Sequence, residues 1–243
     1  MRTLLVGDIH GCLDELQALL DRAGLCAGDQ VVALGDLVDR GPASPAVVAL
    51  FQRGEVSGVT LRALMGNHED RHLRGRGGTG VLAASQQMTA AQFGGLDSPA
   101  YHEALDWMET LPLWFEQPDQ RVLAVHGALT ADSSVRRVPR DVLVGKLRAT
   151  MRLRKQGWWP WYARWADWAS SKPRWRGWTV VVGHRHYLGN GRPLVHEHGH
   201  VRVVGIDTGC CRGGFLTGLL LPEHRFVRVR AARRHWPPAE PTT

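Results

Sequence analysis

Five short motifs in the sequence bring together carboxylate, amide and imidazole side chains, and each follows a run of apolar residues. The motifs are GDIHG from Gly7, GDLVDRG from Gly35, GNHE from Gly66, HG from His126 and GH from Gly183. Oxygen and imidazole ligands suit divalent metals such as manganese, iron or zinc, and none of the motifs offers a thiolate. Asp8 and His10 stand two positions apart, so an extended segment can point both side chains the same way. The motifs therefore predict a metal site, provided that the fold brings them together.

The apolar runs before the motifs predict β-strands whose carboxyl ends carry the ligands. These strands are Arg2–Val6, Gln30–Leu34, Val59–Leu64, Arg121–Val125 and Thr179–Val182. Leucines at helical spacing predict a helix over Cys12–Ala23, and a second helix is predicted over Ser44–Gln52, where Pro45 is tolerated in the first turn. This β-α-β-α-β order favours parallel strands joined by right-handed crossovers. Because ligands bind outside the carboxyl ends of strands in open α/β sheets, we expect the five motifs to converge.

The rest of the chain predicts two mostly helical stretches and a group of late strands. Residues 69–111 are mostly helical in pattern, with an amphipathic helix over Pro99–Leu111. The stretch Val138–Trp168 is also helical, with a break around Gly157–Pro160. The late strands are Val201–Ile206, Leu216–Leu221 and Arg225–Val229. Their short links favour an antiparallel or mixed sheet.

Composition limits the class of protein and its setting. The 243 residues, 44% hydrophobic and 22% charged, fit one large domain or a domain with a modest insertion. The longest apolar runs are far too short to span a bilayer, and no signal peptide is expected. Four cysteines without the spacing of a disulfide framework favour a reducing, cytoplasmic setting. The net charge of +7 is compatible with a phosphoprotein, nucleotide or RNA partner, but an arginine-rich surface explains it as well. The sequence does not indicate an oligomeric state.

The order of the five motifs resembles the phosphoprotein phosphatase branch of the calcineurin-like metallophosphoesterases. The late segment IDTGCCRGGFLT, from Ile206, resembles bacterial members of that branch, which include small Ser/Thr phosphatases and dinucleoside tetraphosphate hydrolases. The similarity runs from about Leu5 to about Leu221, and the stretches 71–111 and 132–176 match poorly. The resemblance implies an α/β fold: a mixed β-sandwich flanked by helices, with helical cap insertions at those two stretches. It implies one metallophosphoesterase domain over 1–232, followed by a disordered tail over 233–243.

The resemblance also implies a set of ligands for two divalent metal ions. Manganese is the first expectation, and iron, zinc, nickel or cobalt would also suit the ligands. Asp36 would bridge the two ions. The implied ligands are Asp8, His10, Asp36, Asn67, His126 and His184.

Catalytic roles follow from the same resemblance. His68 is the implied general acid, and Asp39 would hydrogen-bond it and favour its protonated form. Arg40 would grip phosphate oxygens, together with Asn67 and a second arginine, for which Arg164 is our candidate. Two metals about 3.5–4 Å apart can share a hydroxide that attacks phosphorus in line.

Three further clusters have both a structural and a functional interpretation. His196, His198 and His200 suggest a metal site, but a solvated hairpin loop explains them better. The tryptophans between Trp158 and Trp178 are expected to pack a cap helix on the core, and the alternative is an aromatic and arginine wall that stacks a nucleobase or binds a peptide. Cys210 and Cys211 are expected to be packing residues, and His186 is left open between a supporting and a substrate-facing role.

Several functions fit this site. The first expectation is a phosphomonoesterase, specifically a Ser/Thr phosphoprotein phosphatase, because Asp39 beside Arg40 and Glu69 after His68 resemble the protein phosphatase form. The alternative is a dinucleoside tetraphosphate (Ap4A-type) hydrolase, which the late segment and GCLDEL from Gly11 resemble more closely, or an RNA 5′-end or cap phosphohydrolase. A non-catalytic phosphate-binding module is the remote alternative. Asp39 and His68 argue against it, because a module without turnover has no need of a proton donor.

Overall fold

Two β-sheets make up the centre of the protein in the computed structural model, which describes residues 1–76, 82–132, 134–185 and 191–236. In chain order the strands are β1 (Thr3–Val6), β2 (Gln30–Ala33), β3 (Glu55–Val56), β4 (Val59–Ala63), β5 (Trp114–Gln117), β6 (Val122–Val125), β7 (Thr179–Val182), β8 (Leu194–His198), β9 (Val201–Gly205), β10 (Asp207–Thr208), β11 (Phe215–Leu221) and β12 (Arg225–Arg230). The helices are α1 (Leu13–Ala23), α2 (Ser44–Gln52), α3 (Asn67–Arg76), α4 (Ala84–Gln92), α5 (Pro99–Glu109), α6 (Arg140–Leu143), α7 (Leu147–Lys155) and α8 (Trp161–Ser170).

Strand order in the sheets brings the five motifs to common edges. One sheet has the order β10-β11-β1-β2-β4-β3, with β12 also paired to β11, and the other has the order β5-β6-β7-β9-β8. Strands β1, β2 and β4 are parallel, and their registers align Val6, Ala33 and Ala63. Strands β6 and β7 are also parallel, with Val125 opposite Val182. Because motifs follow directly after aligned strand ends, each sheet presents its ligands along one edge.

The sheets pack face to face and are covered by helices on their outer sides. Leu5 and Val32 point into the layer between the sheets, where they belong to the same buried cluster as Val122 and Val204 of the other sheet. The alternate residue Leu4 belongs to the cluster beneath the helices on the outer face. Strands buried on both faces account for the nearly continuous apolar runs in the sequence. The predicted mixed β-sandwich flanked by helices is confirmed.

The two helical stretches form the outer layers. Tyr101, Leu105 and Met108 of α5 pack into the cluster that covers the seven-stranded sheet. Trp161 and Trp165 of α8 pack into the cluster on the other sheet, in agreement with the packing interpretation of the tryptophans. None of the helices in the described ranges combines the length and apolar character that a membrane crossing requires.

Some boundaries differ from the predicted ones. The helix predicted from Val138 is broken a second time, at Gly145, whose φ of +71° and close approach to the His184 ring exclude a side chain. The edge strand β5 was not predicted. The predicted disordered tail begins at Arg233, yet the backbone N–H groups of His235 and Trp236 donate to Cys211 O at 2.9 and 2.8 Å. The ordered chain therefore extends at least to Trp236, and residues 237–243 lie outside the described ranges.

Candidate active site

Asp36 lies at the centre of the residues that the five motifs bring together. Its Oδ2 atom is 3.6 Å from His10 Nε2, and its Oδ1 atom is 3.4 Å from His126 Nε2. The carboxylate therefore lies between two groups of ligand-type atoms, to which both sheets contribute. This is the position expected of a ligand that bridges two metals.

The first group contains Asp8 and His10, which follow β1. His10 Nε2 lies 3.9 Å from Asp8 Oδ2, and its Nδ1–H donates to Val38 O at 2.8 Å. Burial lowers the pKa of His10 well below its usual value, and the charge of Arg40 lowers this pKa further. The imidazole is therefore neutral, with its proton on Nδ1, and the unprotonated Nε2 lies near the carboxylates and the Arg40 guanidinium. A backbone carbonyl on one nitrogen is the usual arrangement for a histidine that binds metal through the other.

The second group contains Asn67, His126 and His184. Asn67 Oδ1 lies 3.1 Å from His126 Nε2 and 2.7 Å from His184 Nδ1. His126 Nδ1–H donates to Leu34 O at 2.8 Å, which leaves the lone pair of Nε2 facing the amide oxygen. Two acceptors in contact need a cation or proton between them. Burial lowers the pKa of His184 well below its usual value, and a proton on His126 would lower this pKa further, so the His184 imidazole is also neutral.

The charges around these groups also suit divalent cations. Burial raises the pKa of Asp8 well above its usual value, and the nearby carboxylates of Asp207 and Asp36 raise it further. Positive charge placed among buried carboxylates reverses such a shift, because it stabilises their ionised forms. Oxygen and neutral imidazole donors around a shared carboxylate fit two divalent metal ions.

Glu69 holds the loop that carries Asp36, a role that no specific feature of the sequence indicates. Its Oε2 accepts hydrogen bonds from the backbone N–H groups of Asp36 and Gly66, both at 2.9 Å. Its Oε1 accepts from Leu37 N at 2.8 Å and Val38 N at 3.3 Å. One buried side chain thus fixes the backbone after β2 and the backbone after β4.

Strained backbone is concentrated at the site. Positive φ angles of non-glycine residues occur at His10, Asp36, Asp39, Arg40 and His184. Each such residue costs about 1–3 kcal/mol and persists only where the surroundings impose it. At two further positions glycine is required because a side chain would collide with a carboxylate of the site, not because of the φ angle. A Cβ at Gly66 would lie 2.3 Å from Asp36 Oδ1, and one at Gly183 would lie 2.4 Å from Asp8 Oδ1.

His68 and Arg40 lie against the ligand groups without belonging to the predicted ligand set. His68 Nδ1 donates to Asp39 Oδ2 at 2.5 Å, and His68 Nε2 lies 3.9 Å from Asp36 Oδ2. Burial alone would raise the pKa of Asp39, but hydrogen bonds from His68 and His72 outweigh burial and hold this pKa well below its usual range. The Nη1 atom of Arg40 donates a hydrogen bond to His10 Nε2 at 2.6 Å. The pair that was predicted to protonate a leaving group and the arginine predicted to grip phosphate are therefore both at the site.

Arg185 is an arginine at the site that the sequence analysis did not select. It follows His184 directly and, with His184 and Trp159, lines a small cavity. Its Cζ atom lies 5.1 Å from the centroid of the Trp159 ring, and Arg154 Cζ lies 5.5 Å from the same ring. Arg164 is exposed on α8 and remains a prediction as a substrate ligand. His186 lies outside the described residues.

The histidine cluster has a structural explanation. The hairpin is present, but the predicted loop is shorter: His196 and His198 belong to β8, which pairs with β9 in antiparallel fashion, and of the three histidines His200 lies in the turn. His196 packs on the ring of Tyr162 at 5.3 Å, and His198 Nε2 lies 3.5 Å from the carboxylate of Asp167.

The cysteines in the described ranges are unpaired, and those near the site behave as packing residues. Cys12, Cys210 and Cys211 are buried. Burial raises the pKa of the Cys211 thiol to about 12, and a hydrogen bond with Cys12, followed by burial, raises the pKa of Cys210. Thiols held in the protonated form are poor nucleophiles, so the geometry assigns them no covalent role.

Known proteins resemble this chain over nearly its whole length. The sequence profile of the family described as calcineurin-like phosphoesterase matches residues 1–225. An asymmetrical bis(5′-nucleosyl)-tetraphosphatase from Halalkalibacterium halodurans is 31% identical, over 93% of this chain and 92% of its own. A symmetrical bis(5′-nucleosyl)-tetraphosphatase from Paracidovorax citrulli is 36% identical, over 96% of this chain and 98% of its own. The crystal structure of a protein provisionally assigned as a diadenosine tetraphosphatase superposes with a TM-score of 0.68 at 25% identity, covering 95% of this chain and 93% of that chain.

The profile match includes every strand-end motif, from Gly7 to His184. A family that cleaves phosphate esters with divalent metals also accounts for the chemistry at Asp36, where buried carboxylates and neutral imidazoles meet beside an arginine. Sequence and site thus agree on one assignment. The chain belongs to the calcineurin-like phosphoesterase family and is a metal-dependent hydrolase.

Proposed function

We propose that this protein hydrolyses dinucleoside tetraphosphates. The observation that carries the proposal is full-length similarity to two relatives named as bis(5′-nucleosyl)-tetraphosphatases, one asymmetrical and one symmetrical. From the sequence alone, a Ser/Thr phosphoprotein phosphatase is the first expectation and the tetraphosphatase is the alternative. The relatives favour the second function, and the arginines beside the site suit a substrate with several adjacent phosphates.

Six residues would hold the metal ions in this proposal. They are Asp8, His10, Asp36, Asn67, His126 and His184. When bound, two divalent ions, with manganese as the first choice, would supply Lewis acidity and activate a water molecule for attack on phosphorus. Glu69 would keep Asp36 in place through the backbone, and Gly66 would allow the close approach that this position requires.

The remaining residues act on the substrate. Arg40 would donate hydrogen bonds to the phosphate that is attacked, and Asn67 would help to orient that phosphate. His68 would hold a proton at Nε2 and release it to the leaving oxygen, while Asp39 fixes the ring through Nδ1. Arg185 would bind a more distant phosphate of the substrate's tetraphosphate. Trp159, which lies next to Arg185, offers a ring on which a nucleobase can stack.

A substrate panel tests the proposal. The purified protein is supplied with Mn²⁺ and assayed for kcat/KM on diadenosine tetraphosphate, a phosphoserine peptide and RNA with a 5′-tetraphosphate cap. We expect diadenosine tetraphosphate to be preferred by at least about 10-fold, a difference of about 1.4 kcal/mol in transition-state binding. Products separate the two modes of cleavage, because symmetrical cleavage gives two ADP and asymmetrical cleavage gives ATP and AMP. A preference for the phosphopeptide or the RNA end would overturn the proposal.

Protein dephosphorylation is the second candidate, and one observation favours it. The buried Asp39–His68 pair supplies a proton donor, and a serine alkoxide needs protonation more than a nucleotide phosphate does, because it is the stronger base. Substitution of His68 separates the two functions. It should slow phosphopeptide cleavage much more than cleavage of a tetraphosphate bridge.

A further inference from the structure

Both carboxylate oxygens of Asp39 are engaged, and only one of them faces His68. Oδ1 accepts hydrogen bonds from His72 Nε2 at 2.9 Å and from Thr89 Oγ1 at 2.7 Å. His68 and His72 stand four positions apart on α3 and therefore lie on the same face of the helix. Asp39, His72 and Thr89 are at most 1% exposed. Three donors from two helices thus converge on one buried carboxylate.

A further residue extends this arrangement. Tyr101 Oη lies 2.7 Å from His72 Nδ1. A carboxylate only accepts hydrogen bonds, so His72 must donate through Nε2, and in the neutral imidazole Nδ1 then accepts the Tyr101 O–H. Burial raises the pKa of Tyr101 to about 12, so the phenol keeps its proton. Consecutive hydrogen bonds thus link Tyr101 to His72 and His72 to Asp39.

Two of these partners come from the helices where resemblance to the family is weakest. Thr89 lies on α4 and Tyr101 on α5, within the stretch 71–111. Tyr101 also packs on Phe93, with ring centroids 5.9 Å apart, and belongs to the core beneath these helices. The helical stretch is therefore connected to Asp39 through side chains that are rigidly packed.

We propose that His72, Thr89 and Tyr101 are positioning residues that act on His68 through Asp39. They fix the plane of the Asp39 carboxylate, so that Oδ2 meets His68 Nδ1 and the opposite nitrogen, Nε2, faces the reacting oxygen. None of the three is among the metal-ligand candidates. The inference rests on the proposed role of His68 as proton donor.

These hydrogen bonds matter because they restrict rotation of the Asp39 carboxylate. Asp39 follows a tight loop with φ of +74°, and its backbone N–H donates to Ser44 Oγ at 3.1 Å. Without donors on Oδ1, the carboxylate can rotate about its terminal torsion, which is broad for aspartate. A small change of angle at Asp39 is enough to turn the His68 ring, and proton transfer depends strongly on that alignment.

The test compares two aryl phosphates whose leaving groups differ in basicity. A substrate with a basic leaving group, phenyl phosphate, needs the proton more than 4-nitrophenyl phosphate does. For His72→Leu we expect kcat for phenyl phosphate to fall about 30-fold and kcat for 4-nitrophenyl phosphate to fall less than about 3-fold, with little change in KM. His72→Gln, whose amide can still donate to Asp39, should recover most of the lost rate.

Tyr101→Phe gives a second variant that removes one hydroxyl and leaves the core filled. It should show the same dependence on the leaving group, with a smaller loss of about 5-fold for phenyl phosphate. Tyr162→Phe, which makes the same change on α8, is the matched control and should keep both rates. Metal content and thermal midpoint are measured for every variant.

The inference would be overturned if kcat fell equally on both aryl phosphates. It would also be overturned if kcat for phenyl phosphate were unchanged in His72→Leu or in Tyr101→Phe. An unchanged leaving-group dependence in His68→Asn would overturn it as well, because His68 would then not be the proton donor. Failure of the proposed function is distinguishable. If the wild-type protein does not cleave diadenosine tetraphosphate but the variants show the expected aryl phosphate pattern, the proposed substrate is wrong. The positioning role of His72, Thr89 and Tyr101 is then still supported.

Discussion

Glu69 Oε2 accepts a hydrogen bond from the backbone N–H of Asp36 at 2.9 Å, so a side chain of α3 positions the loop after β2. The same carboxylate receives the N–H groups of Gly66, Leu37 and Val38. Glu69 is fully buried, and both of its carboxylate oxygens accept hydrogen bonds from these backbone donors. The position of Asp36 therefore depends on a residue that holds its backbone.

Glu69→Gln should weaken both folding and metal binding. The amide NH2 of glutamine would face backbone N–H donors, which leaves buried groups unsatisfied and costs about 2–4 kcal/mol. Thermal unfolding and titration with Mn²⁺ measure the two effects. The matched control is Glu116→Gln, because Glu116 makes a half-exposed ion pair with Arg174 at 3.3 Å and should contribute less than about 1 kcal/mol. Similar losses in both variants would contradict the proposed role of Glu69.

The residues that the sequence could predict are those at strand ends. Asp8, Asp36 and His126 each follow a recognisable apolar run. Parallel strands in register carry Asp8 and Asp36 to one edge of the first sheet, and His126 follows a parallel strand of the second sheet. Local pattern is sufficient for such residues, because each ligand directly follows an apolar run that is visible in the sequence, and ligands in open α/β sheets bind at the carboxyl ends of the strands.

The residues that the sequence could not predict meet through packing. Thr89 reaches Asp39 across 50 positions of sequence, and His72 reaches Tyr101 across 29. These contacts depend on how α4 and α5 dock, which no short motif records. The break at Gly145 has the same origin, because it is required by the approach of His184 from a distant strand.

His68→Asn should separate metal binding from turnover. His68 contributes its backbone N–H to Asp36 Oδ1 at 3.0 Å, and asparagine can preserve that bond. We expect two bound metal ions per chain and a kcat about 100-fold lower on phenyl phosphate. Metal analysis of the purified variant provides the check. Loss of one metal ion would make His68 a ligand and remove its role as proton donor.

Acid should destabilise the protein in part through Asp29. Burial raises the pKa of Asp29, but hydrogen bonds from Cys26 N, Arg2 N and the Arg2 side chain outweigh burial and lower the pKa from its usual value of 3.8 to about 2. A folded-state pKa below the unfolded one gives stability that is present above the unfolded value and is lost as pH falls through the folded value. The loss should therefore occur between about pH 4 and pH 2.

Thermal midpoints measured over that pH range test this prediction. In Asp29→Asn the midpoint should be lower at neutral pH, and its decline between pH 4 and pH 2 should be less steep than in the wild type. Asp97→Asn, at an exposed loop position, should follow the wild-type curve. Parallel curves for wild type and Asp29→Asn would show that the Arg2–Asp29 pair does not contribute to acid stability.

Arg185→Ala should reduce binding of long substrates more than the chemical step. Arg185 is adjacent to His184 and stacks on Trp159, so it is placed to contact a phosphate or nucleotide beyond the one that is cleaved. We expect KM for diadenosine tetraphosphate to rise about 10-fold, with kcat for 4-nitrophenyl phosphate nearly unchanged. Arg185→Lys should recover only part of the affinity, because lysine keeps the charge and loses the planar stacking on the tryptophan. Arg164→Ala, the arginine that the sequence analysis selected, is the natural comparison. If Arg164→Ala raises KM and Arg185→Ala does not, then the exposed face of α8 contacts the substrate and the cavity beside His184 does not.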